Sequence, residues 1–293
     1  MNDLIRRIAV ICCILSLTVL PVSASSGKKA AKAKAGKACP VETKAAKAEK
    51  HADANAGHDQ EKKAKPSPDE VIKMLKAGNQ RFVGGKSSHP HMNAARLVLA
   101  GKENQGDHAY ATVITCSDSR VPVELLFDAG VMDIFVIRIA GNVCDTDEVG
   151  SIEYGLAHVH TPVLVVLGHT QCGAVTAVTH AIHGKGHALE RNIPPLVDNI
   201  EYAVHKAMRL HPDVKGDDII PHAIEENVWE GIRSLFMRSP STRELVKAGK
   251  TKVVGAIYDV STGKINWLPQ EKVSEILNKT DRHPRRAKNA MAD

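Results

Sequence analysis

The chain has 293 residues, a formal net charge of +6 and only 3% aromatic residues. That length allows one large domain or two small ones, with a core that has to be aliphatic. The positive charge sits at the ends: residues 25–66 carry eleven Lys against five Asp and Glu, residues 281–293 are also basic, and the stretch 67–280 is net acidic, so overall charge gives no ground for a nucleic-acid partner.

Met1–Ala24 has the form of a secretory signal peptide. Arg6 and Arg7 make a positive start, and Ile8–Leu20 is an apolar run of 13 residues, too short to span a bilayer comfortably. Val22-Ser23-Ala24 offers small residues for cleavage after Ala24. The expected location is periplasmic or secreted. Residues 25–66 form a Lys/Ala-rich stretch with almost no large apolar side chain. It cannot bury enough surface to offset chain entropy and is expected to be a disordered linker. Its lysines suit contact with anionic surfaces. Cys39 within it is a free thiol, available for an intermolecular disulfide in an oxidising compartment.

The folded region is expected over 67–280. Ser67-Pro68-Asp69-Glu70 is a capping box with Pro at the first helical position. Val71, Ile72, Leu75 and Phe82 continue a helical apolar face, with Gly78 a weak point. A polar loop, Gly84–His91, and a second helix, Ala94–Ala100, follow. A first strand is expected from about Ala109 to Thr115, a short helix over Pro122–Phe127, a second strand over Ile134–Ile139 and a helix over Glu148–His160. The third strand is the β-branched and aliphatic run Val163–Leu167, broken at Gly168, with a helix from Cys172 to His183. Amphipathic helices are expected at Pro194–Leu210, Pro221–Met237 and Thr242–Ala248. A strand at Val253–Val260 turns into a short return strand, Ile265–Leu268. From Asp281 a loose basic tail is expected. Helices alternate with strands throughout. The fold class is therefore α/β, with a mostly parallel central sheet of four strands plus an antiparallel edge strand, flanked by helices.

Two strand ends carry chemistry. The run Val163–Leu167 leads into His169 and Cys172, and the run Thr112–Thr115 leads into Cys116, Asp118 and Arg120. Neutral imidazole and thiolate are natural zinc ligands, but His169 and Cys172 alone make an incomplete site. Parallel strands in an α/β sheet present their carboxyl ends side by side, where ligands bind. Cys116 can therefore join His169 and Cys172, with Asp118 near enough to swing onto a metal or off it.

CSDSR at 116–120, RIAGN at 138–142, GSIEY at 150–154 and GHTQCG at 168–173 together resemble the signature segments of the β-class carbonic anhydrases, in order and spacing. The resemblance runs from about Asp69 to Leu268. It implies one zinc per subunit on Cys116, His169 and Cys172, a catalytic pair made by Asp118 and Arg120, and reversible hydration of CO2 to bicarbonate by water that the metal activates. In some members the Asp becomes a fourth zinc ligand in a closed state. Arg120 is expected to hold Asp118 by a bidentate ion pair and prevent that. The resemblance also implies a homodimer or higher homo-oligomer, with Asp69–Ala77 embracing the neighbour.

Other residues have two readings. Gly173, at a helix start, either turns its N–H to substrate or serves close packing. Arg138 and Asn142 are expected to brace the site or the dimer. The remaining histidines are expected to lie on a solvated surface, with His108, just before the first strand, the least implausible proton shuttle among them, and Cys144 is expected to be a buried small hydrophobe. Many family members carry a substrate-contacting Gln nine residues before the first Cys, where this chain has Asp107. The same residue set also suits a CS2 or COS hydrolase. A non-catalytic exported zinc-binding protein is disfavoured, because storage needs neither Asp118 nor its clamp.

Overall fold

The computed structural model describes residues 64–291. The expected signal peptide, most of the Lys/Ala-rich stretch with Cys39, and the last two residues lie outside the described residues. The sheet has five strands in the order β2-β1-β3-β4-β5: β1 (Ala111–Thr115), β2 (Ile134–Arg138), β3 (Val163–His169), β4 (Lys252–Tyr258) and β5 (Ile265–Trp267). The first four pair in parallel and β5 is antiparallel at the edge, as the alternation of elements implies. Every residue of β1 and β3 is buried. A parallel sheet covered on both faces demands this, which is why these strands read as continuous apolar runs and not as alternating ones. Each fully buried Val or Leu there stabilises the fold by roughly 1.5–3 kcal/mol relative to exposure.

In chain order the helices among the described residues are α1 (Pro68–Val83), α2 (Ala94–Ala100), α3 (Val123–Leu126), α4 (Thr146–Glu153), α5 (Gly173–Ile182), α6 (Ile193–Leu210), α7 (Ile220–Arg238), α8 (Pro240–Lys247) and α9 (Gln270–Asp281). Val71 and Leu75 of α1 and Leu126 of α3 pack with Val113 and Val165 on one face of the sheet. Ile152 of α4, Val228 and Ile232 of α7 and Val273 of α9 pack with Ile114, Leu164 and Val166 on the other. A third cluster joins Val175 of α5 and Ile200 and Val204 of α6 to Cys116 and Cys172.

The capping box of α1 is present: the Ser67 hydroxyl accepts from the Glu70 N–H, and the Glu70 carboxylate accepts from the Ser67 N–H at 2.7 Å. Gly78 is a point of close approach and not a weakness of α1, because a Cβ there would lie 1.8 Å from the Phe127 carbonyl oxygen. Next to it, buried Asn79 donates to the carbonyls of Leu126 and Gly263 and accepts from the Ile265 N–H. One side chain thus ties α1 to the end of α3 and to β5.

The structure corrects several sequence expectations. The helix expected from Glu148 starts at Thr146, where Asp145 and Glu148 form a second capping box, and it ends in a π-turn at Tyr154–His158. The first strand begins at Ala111, because Ala109 and Tyr110 serve the loop before it: Ala109 N–H bonds Gln105, and Tyr110 N–H bonds Asp133. The helix α9 was not anticipated. Its apolar residues Val273, Ile276 and Leu277 are few, and its N-cap, Pro269, offers no side-chain bond. The tail after Asp281 is not loose along its whole length. The Ala287 N–H donates to the Met237 carbonyl at 2.9 Å and its carbonyl accepts from Arg243 at 2.7 Å. The anchored region also begins before Ser67, since the Lys65 ammonium donates to the carbonyls of Ala109 (2.8 Å) and Val159 (2.5 Å).

Candidate metal centre

From β1 the chain crosses to β2 on one side, while β3 lies on the other side of β1. The carboxyl ends of β1 and β3 therefore flank a topological switch point, where open α/β sheets form their ligand crevice. Thr115 pairs with Leu167, so the residues that follow each strand emerge side by side. The expected convergence is found. The sulfurs of Cys116 and Cys172 and a ring nitrogen of His169 lie within 4.8 Å of one another. All three residues are buried, with 5%, 1% and 0% exposure respectively.

Each ligand is held by its local structure. His169 ends β3, so the strand runs past the break expected at Gly168. Its Nδ1 donates to the Thr170 carbonyl at 2.9 Å, and a nitrogen bonded to a carbonyl has to carry the proton. The lone pair is left on Nε2, a buried atom with no hydrogen-bond partner among the described residues. The turn after it is tied to the end of β4: Thr170 N–H donates to Tyr258 and Thr170 Oγ1 accepts from the Val260 N–H. Cys172 is the N-cap of α5. Cys116 accepts from the Gly141 N–H at 3.3 Å.

A hydrogen bond from Cys172 holds the Cys116 thiol low against the opposing effect of burial, helped by the Gly141 and Asp118 N–H groups. The same bond, with burial and the neighbouring thiolate, pushes Cys172 up, opposed by the Val175 and Ala174 N–H groups of α5. Two buried thiols this close ionise together only when a cation lies between them. Two thiolates, an imidazole with its lone pair orphaned, and no other bonding partner for that nitrogen fit a divalent metal of the zinc type.

Beside this cluster Asp118 and Arg120 form the expected bidentate pair, with Nε to Oδ1 at 2.9 Å and one terminal nitrogen to Oδ2 at 2.7 Å. That guanidinium, seconded by the Arg120 N–H, holds the Asp118 carboxyl well below the usual carboxylate range. Asp118 Oδ2 lies 3.9 Å from His169 Nε2, so the carboxylate borders the cluster while bound to Arg120. Arg138, at the end of β2, donates to the carbonyls of Cys116 (3.2 Å) and Asp118 (2.6 Å), which makes it a brace of the first turn. A Cβ on Gly173 would meet nothing within 4 Å. Packing within the subunit therefore does not require that glycine.

Some expectations fail. His108 precedes β1, at the opposite end of the strand from Cys116. Its ring is bonded to Glu103 (2.6 Å) and Arg96 (3.1 Å), so it is no shuttle for this site. Cys144 is buried, as expected, and burial pushes its thiol up to about 12. The sequence reading gave no role to Gln171. Its carbonyl accepts from Arg120 at 3.0 Å, its side-chain oxygen accepts at 3.3 Å, and its φ is +56°. Its place between two metal-ligand candidates was the only signal available.

A buried Cys2His cluster at the switch point of a parallel sheet, bordered by a clamped carboxylate, defines an α/β metalloenzyme site. A family model described as carbonic anhydrase matches residues 111–265. Carbonic anhydrase 2 of Mycobacterium tuberculosis is 34% identical over 199 residues, which cover 68% of this chain and 91% of that protein. The carbonic anhydrase of Mycolicibacterium smegmatis is 33% identical over 199 residues, covering 68% and 92%. The crystal structure of the β-carbonic anhydrase CafA of Aspergillus fumigatus matches with a TM-score of 0.53 at 25% identity, over 72% of this chain and 98% of that one. The chain belongs to the β-carbonic anhydrase family.

Proposed function

We propose that this chain is a zinc-dependent enzyme that hydrates CO2 reversibly to bicarbonate and a proton, with Cys116, His169 and Cys172 as the zinc ligands. The observation that carries the reading is the buried convergence of those three side chains around an unpartnered His169 Nε2. Zinc in such a site is a Lewis acid that lowers the pKa of a water toward neutrality.

The chain's own residues do the rest. Arg120 holds both carboxylate oxygens of Asp118 and keeps that group off the metal. Asp118 Oδ2, facing the cluster, accepts a hydrogen bond from the attacking water and aims its lone pair at the carbon of CO2. The N–H of Gly173, at the start of α5, stabilises negative charge developing on a substrate oxygen. Arg138 fixes the backbone of Cys116 and Asp118, so that ligand and carboxylate keep their relative position.

We propose further that the protein works as at least a homodimer. The outer edge of β2 supports this: Ile134, Phe135, Val136 and Ile137 are all only partly buried, and Tyr154 beside Phe135 is 52% exposed. Export and contact of the Lys-rich stretch with anionic surfaces are proposed from residues 1–66, on their sequence alone.

The test is reconstitution. Protein stripped of metal should hydrate CO2 slowly, and zinc should restore it. Cys172→Ala should bind zinc weakly and stay slow, whereas full activity in the stripped protein would refute the reading.

A further inference from the structure

The turn after β2 presses on the first ligand. The Gly141 N–H donates to Cys116 Sγ at 3.3 Å. That contact requires an unusual backbone: Gly141 has φ +75° and the next residue, Asn142, has φ +45°. Glycine and asparagine enter this region more readily than other residues, but as single residues, so two in succession need neighbouring contacts to fix them. A side chain at Gly141 would be strained at that φ, and its Cβ would crowd Ile200 Cδ1 at 2.5 Å. Something outside the turn has to hold it, and the hydrogen bonds identify it. The Gly141 carbonyl accepts from the side-chain amide of Asn227 at 2.6 Å. Asn227 lies on α7, 2% exposed, and is remote in sequence from every ligand.

We propose that Asn227 is a positioning residue for the metal centre: its buried amide anchors the Gly141 carbonyl, and thereby keeps the Gly141 N–H on the Cys116 sulfur. The inference rests on the metal-site reading above. An N–H bond to a ligand thiolate withdraws charge from sulfur, so the metal it binds is a stronger Lewis acid. Losing the anchor leaves a buried carbonyl unpaired and lets the turn relax toward an ordinary backbone. The N–H then leaves the sulfur, and the thiolate becomes a stronger electron donor.

The test compares the whole chain with Asn227→Leu and Asn227→Ala. Both replacements remove the donor, and the second, smaller and a good helix former, remains informative if the first does not fold. Ser234→Ala is the control: it removes another side-chain bond of α7, the partly buried one from Ser234 Oγ to the Cys144 carbonyl at 2.8 Å, that does not reach a ligand. Zinc affinity is read by chelator competition. The cobalt-substituted protein reports the sulfur directly, through its thiolate-to-metal charge-transfer band. The expected result for a folded Asn227 variant is a loss of roughly 10- to 100-fold in zinc affinity, because the turn no longer holds the Cys116 sulfur in position and this outweighs its stronger donation, with the cobalt band moved to lower energy and Ser234→Ala like wild type. A folded Asn227 variant with wild-type affinity and band overturns the inference. So does Ser234→Ala showing the same loss. A wild-type chain that binds neither zinc nor cobalt overturns the metal-site reading itself, and this inference with it.

Discussion

Arg120 and Gln171 join the two ligand-bearing turns. The guanidinium holds Asp118 on its own turn and reaches the Gln171 carbonyl, 3.0 Å away, between His169 and Cys172. The carboxylate that borders the cluster is thus positioned by an arginine that is itself fixed to the opposite side of the site.

Removing the arginine should separate metal binding from catalysis. None of the three ligands bonds to Arg120, so Arg120→Ala should retain its zinc. Asp118 would be free to turn onto the metal. CO2 hydration should fall by about 100-fold or more, the scale expected when a reacting group is misplaced by about an ångström. Metal analysis together with initial rates decides this, and an active Arg120→Ala protein would remove Arg120 from the account.

Gln171→Ala is a gentler test of the same arrangement. It deletes only the side-chain bond at 3.3 Å and leaves the carbonyl contact in place. Arg120 is 46% exposed, so water takes over much of the lost bond. The expected loss in kcat/KM is roughly three- to tenfold, with zinc content unchanged. A loss as large as that of Arg120→Ala would mean that Gln171 does more than steady the guanidinium.

Metal should control thiol chemistry. Cys116 and Cys172 lie within ligand distance of each other, while Cys144 is buried apart from them with its thiol pushed up to about 12. In metal-free native protein, labelling mapped by mass spectrometry should find Cys116 modified before Cys172 and Cys144, because its thiol is held low. Zinc should suppress that labelling, and Cys144 should react only after unfolding. Equal labelling of Cys116 with and without zinc would contradict its role as a ligand.

Acid stability should depend on Asp128. Its side chain is buried, and burial alone would raise its pKa. The Ser88 and His89 N–H groups, the Ser88 hydroxyl and Arg81 more than offset this and hold it well below the usual range. A depressed folded pKa adds stability that is complete above the unfolded value, about 3.9, and is lost as pH falls toward the folded one. Wild type should therefore melt above Asp128→Asn at neutral pH, and the gap in Tm should narrow below about pH 4. A gap that stays constant through that range would show that the charge of Asp128 is not what holds the Gly84–His91 loop.

Much of this was legible in the sequence where local chemistry acts. Continuous β-branched runs marked β1 and β3, and Ser67 to Glu70 marked the start of α1. The convergence of Cys116, His169 and Cys172 followed from two strand ends carrying Cys and His. What stayed hidden depends on contacts remote in sequence. Gly78 read as a defect until the Phe127 carbonyl was seen against it. Nothing near Asn227 announces a bond to the site, and Gln171 had only its place between His169 and Cys172 to mark it. His108 misled because sequence gives proximity to a strand but not which of its ends faces the chemistry. α9 was missed because its apolar face is narrow and its cap is silent.

The most direct test is stopped-flow CO2 hydration by the zinc-quantified protein at pH 7 and pH 8.5. Asp118 is held low by Arg120, so it is ionised and clamped at both values, and rapid zinc-dependent hydration is predicted at both. Activity at pH 8.5 alone would contradict the clamped, open site, and no hydration with a full complement of zinc would contradict the proposed function altogether.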